Sequence, residues 1–95
     1  MARYLVLLRF TGQGARAIKT SPSRAQKFKK TAKKAGVKVE AHYWLLGAYD
    51  GVLLLSADEG KKVLRLVTDL AALGNVQTQT LPALDAKLFS QIVGK

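Results

Sequence analysis

Apolar and polar positions along this chain change period several times, and each change is marked by a turn signal. Arg3 to Phe10 (RYLVLLRF) is β-rich, apolar and too short for a core helix, which predicts a strand. Thr11-Gly12-Gln13-Gly14 breaks it, leaving Ala15 to Lys19 for a short helical turn. Ser21-Pro22 then predicts a helix start, with Ser21 as N-cap and Pro22 at the first helical position. Ala25, Phe28, Ala32 and Ala35 follow the spacing of a buried stripe, and Gly36 supplies a left-handed stop. Val37 to Leu46 predicts a second strand. One of its faces carries Val37, Val39, Ala41, Tyr43 and Leu45, and the other Lys38, Glu40, His42, Trp44 and Leu46.

The segment Gly47-Ala48-Tyr49-Asp50-Gly51 separates two apolar runs, so a β-hairpin is expected, with Gly51 at positive φ. Val52 to Ala57 is the third strand. Ser56 or Asp58 is placed to cap a second helix, whose buried face is Val63, Leu66, Val67, Leu70 and Leu73. Gly74 ends that helix. Asn75 to Leu81 alternates with period two, Pro82 ends the strand, and Leu84 to Val93 suits a terminal helix.

The resulting order is β-α-β-β-α-β plus a tail. That is the α+β, ferredoxin-like plan, a four-stranded antiparallel sheet with both long helices on one face. Ninety-five residues make one domain, spanning 1–95. Two helices cannot cover the second sheet face, on which Leu5, Leu7, Trp44 and Leu46 are expected to form an apolar patch. A homo-oligomer, at least a dimer, is therefore expected to bury that face, as in dimeric α+β barrels.

Charge adds a second feature. Residues 1 to 39 carry eleven Lys or Arg and no acid, so the net charge of +10 sits in the first half. At about 100° per residue, Lys27, Lys30, Lys33 and Lys34 fall opposite the apolar stripe of the first long helix. This asymmetry makes a nucleic acid or another polyanion a candidate partner, bound weakly and without sequence preference. The bland alternative is a solvated helix face. The chain has no cysteine and no apolar run of membrane-spanning length, and it opens directly into a strand. A cytoplasmic protein without membrane attachment is expected.

Several of these residues together carry a resemblance. They are Phe10-Thr11, Gln13-Gly14, Ser21-Pro22, Arg24-Ala25, Phe28-Lys29, Tyr43-Trp44, Leu46-Gly47-Ala48-Tyr49-Asp50, Gly74-Asn75-Val76, Thr78 and Thr80-Leu81. Over nearly its full length the chain resembles the GYD domain family, small proteins of largely unassigned function. The resemblance implies a ferredoxin-like fold of the dimeric α+β barrel group and brings no established catalytic residues with it. Ser56-Ala57-Asp58-Glu59 departs from the Glu-Ala-Pro-Asp that members commonly carry there.

Candidate chemistry concentrates near the second and third strands. Glu40, His42 and Trp44 share a predicted strand face, and the hairpin is expected to bring Tyr49 and Asp50 beside them as one ligand-binding cluster. His42, Tyr49 and Asp50 are the catalytic candidates, with Trp44 as an apolar wall. The alternatives are an interface histidine, an Asp50 that bonds turn amides, and a Tyr49 that packs on the sheet edge. One His and one Glu fall short of a metal site, and no nucleotide-binding loop or catalytic triad spacing is present, so neither metal nor cofactor is expected. Three readings follow. The first is an oligomeric module that binds a small molecule or serves assembly through the sheet cavity. The second is a cofactor-free oxygenase or isomerase, and the third a polyanion binder.

Overall fold

The computed structural model describes residues 1–94. Strand β1 (Ala2–Phe10) leads into a short helix α1 (Gly12–Arg16), a 3-10 turn (Ile18–Thr20) and the long helix α2 (Ser21–Lys34). Strands β2 (Lys38–Trp44) and β3 (Gly51–Ala57) follow, then α3 (Gly60–Ala72), β4 (Val76–Pro82) and α4 (Ala86–Val93). The sheet order is β2-β3-β1-β4, and every neighbouring pair is antiparallel. This is the expected ferredoxin-like plan with its terminal helix.

The core lies between the sheet and helices α2 and α3. Val6 and Leu8 from β1 and Leu53 and Leu55 from β3 alternate inward, where Ala32 of α2 and Val63 of α3 cover them. Each large apolar side chain sequestered in this way contributes about 1.5–3 kcal/mol. Leu73, expected on the buried face of α3, is 65% exposed, because it lies past the last helical turn.

Local details depart from expectation for identifiable reasons. Ser21 is not an N-cap: Thr20 holds that position, and the Ser21 hydroxyl is occupied by the Trp44 indole. The short helix begins at Gly12 rather than Ala15, because Thr11 Oγ1 accepts from the Gly14 amide and caps it. Gly51 is paired strand backbone, and the positive-φ glycines are Gly36, Gly74 and Gly94. A Cβ at Gly51 would press on Leu8 at 3.3 Å and on the Tyr43 carbonyl oxygen at 3.4 Å, so close packing calls for glycine here rather than turn geometry. Neither Ser56 nor Asp58 caps α3. Glu59 takes the N-cap position, Asp58 pairs with Lys62 at 3.0 Å, and Ser56 is buried in β3.

The decisive irregularity is in β2. Val39 pairs with Leu55 and Ala41 with Leu54, so one extra residue is inserted at Glu40. Such a bulge shifts the alternation by one position downstream. His42 pairs with Leu53 and Trp44 with Gly51, so both turn toward the helices rather than the open face. Leu46 lies in the loop, fully exposed, and joins neither face. The open sheet face carries Leu5 and Leu7 of β1 and Val52 and Leu54 of β3, each half-buried. Helix α4 projects from the end of β4 and has no extensive contact with any other element among the described residues.

Candidate functional site

Helices α2 and α3 stand apart over the sheet, and small side chains such as Ala25 leave the space between them unfilled. A cleft of about 550 Å³ results, walled by Phe10, Phe28, His42, Trp44, Leu53 and Leu70. Its size falls within the range of small-molecule sites. Trp44 is 47% exposed along this wall, and its indole N–H donates to Ser21 Oγ at 2.9 Å. The His42 ring lies against the Trp44 ring, with centroids 4.3 Å apart and planes inclined by 36°. Burial, reinforced by the nearby Lys29 charge, lowers the His42 pKa from its ordinary 6.5. The imidazole is thus mainly neutral at pH 7. Among the described residues no carboxylate accepts a hydrogen bond from it.

The remaining predicted residues lie elsewhere. Glu40 pairs with Arg3 on the open face, Nε to Oε2 3.2 Å. Below the pair is the buried Ser56 hydroxyl, to which no hydrogen bond of full geometry is made. Interaction with that hydroxyl and with the Arg3 guanidinium holds the Glu40 carboxyl below its usual pKa. Tyr49 is also on the open side: its hydroxyl donates to Gln79 Oε1 at 2.9 Å, and the Arg9 guanidinium sits over its ring at 5.2 Å. Asp50 borders the cleft, yet its Oδ2 accepts from the Phe10 amide at 2.7 Å. The five residues therefore do not surround one cavity. His42 and Tyr49 occupy opposite sides of the sheet, because the bulge at Glu40 reverses β2 and the loop 45–50 sends adjacent side chains to different faces.

The Asp50 side chain acts across the sheet rather than on an amide of its own turn. Its backbone N–H donates to the Leu8 carbonyl at 2.8 Å and its carbonyl accepts from Leu45 at 2.8 Å. With the side-chain bond to Phe10, the β2–β3 loop is fastened to the end of β1. A charge-assisted bond of this kind contributes about 1.5–3 kcal/mol.

A second fastening had no candidate role in the sequence. Thr11 Oγ1 donates to the Gly74 carbonyl at 2.6 Å, and Gln13 Nε2 reaches the Leu73 carbonyl at 3.1 Å and Asn75 Oδ1 at 3.0 Å. Gly14 fits beneath, where a Cβ would meet the Asn75 carbonyl oxygen at 1.9 Å. These residues tie β1 to the turn before β4. Their only signal was membership in the quoted motifs, since hydrogen bonds spanning sixty residues leave no local pattern. The helix lysines Lys27, Lys30, Lys33 and Lys34 are all exposed, as expected. Phe28 faces the cleft, so the lysine surface of α2 offers no base-stacking platform. No described helix is long and apolar enough to cross a membrane, and no group of three or more His, Cys, Asp or Glu gathers among the described residues.

Comparison with known proteins agrees with this architecture. A Thermus thermophilus protein named glutamine synthetase and cystathionine beta-lyase binding protein is 34% identical over 85 residues, covering 88% of this chain and 90% of the relative. The crystal structure of FFRP-DM1 superposes with a TM-score of 0.64 at 17% identity, over 88% of this chain and 100% of the other. That of TTHA0845, also from Thermus thermophilus, gives a TM-score of 0.59 at 26% identity, covering 90% and 96%. The GYD domain profile matches residues 4–93, and the chain belongs to the GYD domain family.

Proposed function

We propose that this protein is a non-catalytic binding module that assembles through its open sheet face and α4 and attaches to a metabolic enzyme. The observation that carries the reading is the state of α4. It is an eight-residue helix with none of its residues buried. Asp85 Oδ1 caps its first turn from 2.8 Å, and Gly94 closes it in the left-handed conformation. Isolated helices shorter than about 12–15 residues are marginal in water, so capping alone does not sustain it. Leu88, Phe89 and Ile92 are 41%, 53% and 61% exposed, an apolar side that gains stability only against another surface. The open sheet face, with Leu5, Leu7, Val52 and Leu54, is the apolar surface the fold leaves for it on a second copy.

The relative's name supports the second half of the reading, since that protein is described by the enzymes it binds. The separation of His42, Tyr49 and Asp50 weighs against the oxygenase or isomerase alternative built on those three side chains. Light scattering at about 10 μM should report a homo-oligomer, and Leu88→Asp with Phe89→Asp should convert it to monomer with the sheet intact by circular dichroism. Immobilised protein should retain purified glutamine synthetase or cystathionine β-lyase from the same organism. A monomer that retains neither enzyme would overturn the proposal.

A further inference from the structure

We infer that the cleft between α2 and α3 is a binding site for an amphipathic organic anion, an apolar body carrying one carboxylate or sulfonate. The walls define the body. Phe10, Phe28, Leu53, Leu70 and Trp44 present apolar surface, and the polar groups of Ser21 and Asp50 among them are engaged within the protein. Ser21 Oγ accepts from Trp44, and the Asp50 carboxylate accepts from the Phe10 amide. A buried polar ligand body would find few partners there, and an apolar one needs none. Trp44 and Phe28 stay partly exposed along this opening although both belong to the inner layer, so a guest of this kind would complete the core.

The rim defines the head group. Arg24 and Lys27 border the cleft from α2. Arg24 Nη1 holds the Ala17 carbonyl at 2.8 Å and Thr20 Oγ1, and no described acceptor engages its Nε or Nη2. From α3 the rim receives Asp69, which is drawn toward Arg65 Nε at 3.8 Å. Of the two carboxylates that line the cleft, Asp50 is held by the Phe10 amide and Asp69 faces Arg65, whereas Arg24 and Lys27 have no carboxylate partner among the described residues, on a chain of net charge +10. An anion at one end of an apolar body complements this arrangement. The neutral His42 adds an N–H donor in the wall without placing a charge beside the ligand's apolar part.

Trp44 is the one tryptophan of the chain, so its fluorescence reports occupancy directly. Decanoate and decan-1-ol serve as probes because they share an apolar chain and differ in charge. Decanoate should shift Trp44 emission saturably and bind roughly fivefold or more tightly than decan-1-ol. Lys27→Gln should remove most of that preference while leaving decan-1-ol binding unchanged. Ala25→Phe fills the cleft and should abolish binding. Thr31→Phe closes the mouth from an exposed position and supplies the same test if the first substitution disturbs folding. Lys61→Gln, at an exposed cation that does not line the cleft, should have no effect.

Equal affinity for both probes, or no saturable shift, would overturn the inference. So would decanoate binding that survives both filling substitutions, or that is lost with Lys61→Gln. An oligomer disrupted by Ala25→Phe would show instead that the cleft receives a segment of a second copy, and would likewise overturn it. The inference is independent of the proposed assembly, since decanoate binding and light scattering are separate measurements made on separate variants.

Discussion

The two faces of the sheet are built from the same strands yet solve different problems. The helix-facing side has more cover than contact: two helices shield Val6, Leu53 and Leu55 but stand apart and leave a cleft beside Trp44. The opposite side carries leucines and valine that no helix covers extensively among the described residues, crossed by polar pairs such as Arg3–Glu40 and Tyr49–Gln79. Vacancy on the first face is a volume bounded by rigid elements, which suits a small guest. On the second it is an extended area, which suits another sheet or helix. Adjacent residues make the contrast sharply. Tyr49 turns outward beneath Arg9, and Asp50 turns across the sheet to fasten β1.

The largest expected effect comes from removing the frame on which both faces depend. Gly14→Ala sets a methyl against the Asn75 carbonyl oxygen, which is backbone and cannot swing aside. Destabilisation of about 3 kcal/mol or more is expected, lowering the melting temperature by well over 10 °C in a chain of this size. A melting temperature within a few degrees of the parent protein would show that the β1–β4 fastening is dispensable.

Element order was readable because periodicity and punctuation agreed: Gly36 and Gly74 do end helices in the left-handed conformation. The face assignment of β2 was not. A strand that alternates strictly puts Glu40, His42 and Trp44 together, but a single inserted residue reverses everything after it. Nothing in Val39-Glu40-Ala41 announces a bulge locally. Its result is visible only in the assembled fold, where Glu40 reaches Arg3 on one side and Trp44 reaches Ser21 on the other. The fate of Asp50 was hidden for a related reason. Asp before Gly suggests a turn, yet the amide it accepts from lies forty residues away in sequence. Long-range polar contacts are decided by the assembled fold, and a candidate site made of them is legible only in outline.

Asp50→Ala should sharpen the comparison by loosening the loop from β1. Loss of the bond leaves the part-buried Phe10 amide without its acceptor, and about 2 kcal/mol of stability should disappear in urea unfolding. Asp50→Asn keeps an acceptor oxygen without the charge, and about half of that loss is expected. Equal effects of the two substitutions would mean that charge contributes nothing to this fastening.

The faces should also respond to pH in separate windows. His42 has a lowered pKa, so the unfolded chain takes up a proton that the folded chain resists. Stability should therefore be insensitive to this group above about pH 6.5 and fall as pH drops below that value. Glu40 is also lowered, from an ordinary 4.5, by Ser56 and Arg3. Its contribution is present above that value and is lost only as the solution becomes more acidic. Urea midpoints at pH 7.5 and 5.5 should differ in the parent protein and differ less in His42→Gln. An unchanged difference in that variant would remove His42 as the cause.

The smallest effect is expected at Tyr49, and it tests whether the outward residue of the signature is structural at all. Tyr49→Phe removes one hydroxyl that donates to Gln79 Oε1 on an exposed surface, where water takes over the acceptor at little cost. The ring remains under the Arg9 guanidinium, so the cation–π contact is kept, and Arg9 Nε still donates to the Ala48 carbonyl at 3.1 Å. A loss of about 0.5 kcal/mol or less is expected for the separated subunit, a quarter or less of the Asp50→Ala effect. The measurement is best made in the Leu88→Asp, Phe89→Asp background, where self-association does not add to the unfolding free energy. In the assembled protein the same substitution should cost more if the open face is buried there, because the Gln79 amide oxygen would then lack water as a replacement donor. Equal losses in the two backgrounds would separate Tyr49 from the interface, and a loss matching Asp50→Ala in the monomer would end the distinction between an outward and a cross-sheet residue.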